Sequence, residues 1–92
     1  MSDEVLLRTA LSAAVPLRIL ELKVRGGPDD FDRERVQGFS DILGSRGDQL
    51  LYRSKKKGET AEMFNGLADA LAVMAFVPGG VKFLGMHFEE KV

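Results

Sequence analysis

Between Glu59 and Val77 the apolar residues recur in steps of three and four: Ala61, Phe64, Leu67, Ala68, Leu71, Met74 and Ala75. Sustained over several turns, that spacing gathers them on one face of a helix, and a strand does not reproduce it. Ala70, Ala72 and Phe76 widen the face, so this helix needs cover on more than one side. It opens at Glu59-Thr60 and is stopped by Pro78-Gly79-Gly80. The rest of a 92-residue chain must supply the layers around it, within a single domain over 1–92.

Upstream, Ser2 or Asp3 caps a first helix over about Asp3–Ala14, with Val5, Leu6, Leu7, Ala10, Leu11, Ala13 and Ala14 as its apolar surface. Pro16 is expected to stop it, because proline disfavours helical geometry in Val15. Over Leu17–Arg25, Leu20, Leu22 and Val24 alternate with Ile19, Glu21 and Lys23, which predicts a half-buried strand closed by Gly26-Gly27-Pro28. Leu17, Leu20 and Val24 also fit helical spacing, but no good N-cap precedes Leu17 and the stretch is short, so strand is favoured. Asp29, Asp30 and Asp32 open a second helix bearing Phe31, Val36, Phe39, Ile42 and Leu43. It ends near Gly44 or restarts over 48–53, where Leu50 continues the face, and the glycines at 44 and 47 favour a break. Val81–Glu89 reads as a last strand with large apolar groups on both faces. The expected fold is α+β, in the order helix–strand–helix (broken)–helix–strand. Its helices pack on a small sheet that a second chain would help complete.

Composition narrows the function classes. Hydrophobic residues make up 45% and charged residues 29%, and 13 basic against 14 acidic side chains leave a net charge of -1. That mix excludes a disordered tail and a strongly basic nucleic-acid coat protein. Without cysteine there is no disulfide framework, thiolate metal site or thiol nucleophile, and a single histidine forms no metal cluster. No cofactor is expected. The acidic start Met1-Ser2-Asp3-Glu4 lacks the positive charge of a signal peptide, and the apolar run Leu67–Val77 is too short to span a bilayer. A soluble cytoplasmic chain with no membrane partner is expected.

Three groups of residues invite a functional interpretation. Arg53, Lys55, Lys56 and Lys57, with Arg46 nearby and Tyr52 able to stack on a base, form the one basic cluster, a candidate for phosphate or nucleic-acid contact. The even overall charge favours a solvated loop instead. Glu21-Leu22-Lys23, placed on a strand, resembles the Glu-x-Lys step of the PD-(D/E)xK nucleases, which would imply a cation-holding carboxylate and a lysine that aids attack by water. The last strand offers Leu84, Met86 and Phe88 as one apolar row and Val81 and Phe83 as another, a surface suited to a second copy of the chain. A rich apolar inventory with no assembled catalytic set makes a self-associating, non-catalytic interaction module the favoured expectation. A nucleic-acid-binding accessory protein is the alternative, and a nuclease-like enzyme follows behind.

Overall fold

In the computed structural model, the backbone is described for residues 3–45 and 59–91. Side chains are described for 4–37 and 64–91. The described elements are α1 (Asp3–Val24), α2 (Asp30–Ser45), α3 (Glu59–Met74), β1 (Val81–Phe83) and β2 (Met86–Phe88). The class is α+β, with helices and a small antiparallel sheet, as the sequence implies. Two elements differ from expectation.

The first correction is at 17–25, which is helix rather than strand: α1 runs unbroken through Pro16. The deciding pattern lies upstream and downstream of the proline together. Leu11, Val15, Ile19 and Leu22, in steps of four, four and three, are all buried against α3. A strand would have turned Leu20, Leu22 and Val24 inward as a set, whereas only Leu22 is covered. Proline in a helix interior costs about 3 kcal/mol, largely a lost bond to the carbonyl four residues back. Here that carbonyl belongs to Ser12, and Ser12 and Pro16 both lie on the exposed side, where water can replace the missing donor. Burying four large side chains, at about 1.5–3 kcal/mol each, outweighs the cost. The missing cap before Leu17 is explained as well, since no helix begins there.

α1 ends at the Gly26-Gly27-Pro28 turn, which closes a helix and not the expected strand. Gly27 N–H donates to the Leu22 carbonyl at 2.7 Å and Gly26 N–H to the Lys23 carbonyl at 3.0 Å, a Schellman closure. Gly26 takes φ +100°, which a side chain would oppose. α2 then begins on a reciprocal cap. Asp32 N–H donates to the Asp29 carboxylate at 2.8 Å, and Asp29 N–H donates to the Asp32 carboxylate at 3.1 Å. Asp32 is buried and also receives the Arg25 guanidinium from the end of α1, so one side chain locks the α1–α2 corner. Burial pushes the Asp32 carboxyl up, but the Asp29 backbone and the Arg25 charge outweigh it and hold it below its ordinary value. α2 is described as far as Ser45. The side chains of Phe39, Ile42 and Leu43, the restart over 48–53 and the loop over 53–58 lie outside the described residues.

α3 is the central element. Every residue from Leu67 to Val73 is buried, and Leu71 is fully so, as the width of its apolar face implies. α1 and α2 pack on it from two sides, and β2 rests on α1.

The second correction is at 81–89, which is a hairpin rather than one strand. β1 and β2 pair antiparallel with Val81 opposite Phe88, Lys82 opposite His87 and Phe83 opposite Met86. Leu84 and Gly85, at φ +49° and +77°, make a two-residue turn of the type that suits the twist of paired strands. Reversing the chain there brings the two expected apolar rows onto one inner face. Phe83 and Phe88 join the core, while Lys82 and His87 point outward. Gly80 makes the hairpin possible. Its φ is +73°, and a Cβ there would stand 2.6 Å from Glu89 Cγ and closer still to the Phe88 carbonyl oxygen. Glu90 N–H then donates to the Ala75 carbonyl at 3.0 Å and ties the chain end to α3.

Candidate interaction surface

Because α1 is continuous, a set of residues on both sides of Pro16 falls into line. Leu6, Ala10, Ala13, Leu17, Leu20 and Val24 follow one another in steps of four and three along the whole helix. At 100° per residue their mean direction lies about 175° from that of Leu11, Val15, Ile19 and Leu22. They form a second apolar face, turned away from the core. Leu6 is 53% exposed, Leu17 63%, Leu20 59% and Val24 83%, and Ala10 and Ala13 are exposed too. No charged or polar residue interrupts the stripe. Single exposed apolar residues are ordinary, but a continuous row along a 22-residue helix is not. An open groove lined by Pro16, Leu20, Lys23, His87 and Glu90 borders it.

The helix that carries the stripe is fixed in place by charge as well as by packing. Asp69, in the middle of α3, is nearly buried and accepts from Arg18 Nε of α1 at 2.7 Å and from a terminal guanidinium nitrogen of Arg35 on α2 at 2.9 Å. One carboxylate therefore bridges the three described helices. Its hydrogen bond with Arg18 raises that guanidinium above its ordinary value, against the effect of partial burial, and Glu21 adds a second acceptor at 3.0 Å. Arg35 also sits 5.8 Å over the Phe31 ring. At the end of α1, Lys23 Nζ donates to the Glu90 carbonyl at 2.9 Å.

The residues singled out in the sequence are placed as follows. The strand that would have set Glu21 beside Lys23 is helix, so the two point about 160° apart. Glu21 engages Arg18 and Lys23 engages Glu90, and the nuclease-like arrangement is not assembled. Among the described residues no group of three or more His, Asp or Glu side chains is placed to hold a metal ion. Arg46, Tyr52, Arg53, Lys55, Lys56 and Lys57 lie outside the described residues. Of the hairpin set, Phe83 and Phe88 are buried within the chain, and Val81, Leu84 and Met86 are half-buried against the same core. His87 donates from Nε2 to the Gly79 carbonyl at 2.7 Å and lies 3.2 Å from Glu89. No helix among the described residues is long and apolar enough to cross a membrane.

Comparison with family models, with curated proteins and with solved structures finds no match.

Two features of this surface escaped the sequence pattern. The stripe is invisible once the helix is cut at Pro16; the signal was the unbroken three–four spacing on either side of the proline. Asp69 was visible only as an interruption in an apolar run, and a lone acid in such a run implies a partnered carboxylate.

Proposed function

We propose that this chain is a small non-catalytic interaction module that docks through the outer face of α1. What supports it is one observation: a helix with two opposed apolar faces, only one of which the described residues cover. A long, unbroken apolar row on the exposed side of a helix is the kind of surface that marks an interaction site. The Asp69 junction favours the same reading, because a contact face held rigidly loses less entropy on association than a mobile one. The residues behind the catalytic alternative, Glu21 and Lys23, are engaged elsewhere on separate sides of the helix.

Position-dependent photocross-linking tests the proposal. A photoreactive amino acid placed at Leu17 or Leu20 should capture a polypeptide in cells expressing the chain. The same group at Glu34 on α2 or Lys82 on β1, both exposed, should not. Equal capture at all four sites, or none at the stripe, would overturn the assignment.

A further inference from the structure

Resting on the reading of α1 as a docking face, we infer that its occupant is a second copy of this chain, with the two α1 helices packed antiparallel about a two-fold axis. The inference comes from the order of side-chain sizes along the stripe. The six positions mirror one another about the level of residue 15. An antiparallel pair therefore sets Leu6 against the partner's Val24, Ala10 against the partner's Leu20 and Ala13 against the partner's Leu17. The two inner layers each join a large side chain to a small one. Interdigitated packing requires that arrangement, and the central alanines let the backbones approach closely. A parallel pair would set alanine on alanine at 10 and 13 and leucine on leucine at 17 and 20, leaving gaps beside crowded layers. The sequence is thus complementary to its own reverse, as a two-fold contact demands.

Charge points the same way. Each copy carries a net charge of only -1, so two copies repel little. Antiparallel pairing also opposes the two helix dipoles. Size is sufficient but not large. The stripe is about 27 Å long and about 10 Å wide, roughly 300 Å² in projection on each chain. With its corrugation and flanking side chains the pair buries on the order of 1,000 Å², where specific association begins. The dimer should accordingly be reversible.

Sedimentation velocity of the purified chain, over two decades of concentration, tests the pairing in the parent and three variants. The parent should pass from monomer to dimer. Leu17→Glu with Leu20→Glu changes only exposed positions, so the chain should stay folded by circular dichroism and sediment as a monomer. Ala13→Leu should weaken the dimer at least tenfold by overfilling the layer it shares with Leu17. Adding Leu17→Ala to Ala13→Leu, which exchanges large and small, should restore it. The chain has no cysteine, so orientation can be read directly. Mixed Ala10→Cys and Leu20→Cys chains should form the mixed disulfide in preference to either homodimer. A dimer that survives Leu17→Glu/Leu20→Glu, a failure of the size exchange, or a dominant Leu20→Cys homodimer would each overturn the inference. A parent that is monomeric throughout would overturn it too. Stripe-specific photocross-linking to a different polypeptide would then leave the docking face standing without the self-pairing.

Discussion

Removing the carboxylate of Asp69 should reveal how much of the domain depends on one side chain. Asp69→Ala deletes two charge-assisted hydrogen bonds, to Arg18 at 2.7 Å and to Arg35 at 2.9 Å. In full burial each would contribute about 1.5–3 kcal/mol. The Arg18 side chain is 29% exposed and that of Arg35 52%, so both guanidinium groups recover water once unpaired, Arg35 more completely. The loss should therefore be about 2–3 kcal/mol rather than the 3–5 kcal/mol of a fully buried pair. For a domain of this size that lowers the midpoint of thermal unfolding by roughly 8–20 °C. Calorimetry on Asp69→Ala, Arg18→Gln, Arg35→Gln and the two double variants closes two thermodynamic cycles. The coupling of Asp69 to Arg18 should exceed its coupling to Arg35, which should be under about 1 kcal/mol, as for exposed pairs. A loss below about 1 kcal/mol for Asp69→Ala, or a larger coupling to Arg35, would refute the view that this carboxylate joins the three helices.

Leu71→Ala, at the fully buried centre of α3, should cost about 2–5 kcal/mol in urea unfolding, and a loss under about 1 kcal/mol would remove it from the core. Pro16→Ala should stabilise the chain by about 2 kcal/mol, since alanine restores the backbone bond to Ser12 and favours helix. A destabilised variant would mean that the helix does not pass through 16. Asp32 lies below its ordinary value when folded, so the stability it contributes is complete above the unfolded value, near pH 4, and is lost as pH falls through the lower, folded one. Asp32→Asn should cost about 1 kcal/mol at neutral pH and flatten the acid limb of the stability curve, whereas parallel limbs for parent and variant would contradict the cap.

Much of this architecture is legible in local sequence because local chemistry decides it. Asp29 and Asp32 cap α2, Gly26-Gly27-Pro28 marks a turn, and the stripe through Leu67 and Leu71 makes α3 central. The two misplaced elements are those where tertiary packing overrode a local signal. Pro16 is a helix breaker by propensity, yet the layer formed by Leu11, Val15, Ile19 and Leu22 against α3 holds the helix through it. Leu20, Leu22 and Val24 fit a period of two while Leu17, Leu20 and Val24 fit steps of three and four, and only the residues before the proline separate the two readings. The turn at Leu84-Gly85 lacks the Asn-Gly or Asp-Gly signature. Leu84 is held at φ +49° by packing against the core, so nothing in its identity announces a hairpin. The docking face was hidden by the same proline: seen as two elements, Leu6 to Ala13 and Leu17 to Val24 share no face at all.

Methyl NMR across a dilution series observes the outer face of α1 most directly. Leu6, Leu17, Leu20 and Val24 should shift with concentration along a single binding curve, while the methyl groups of Leu11, Val15, Leu22 and Leu71 stay fixed. If the stripe methyls are unchanged across the series while those of Val81, Leu84 or Met86 move, the hairpin and not α1 is where this chain meets its partner.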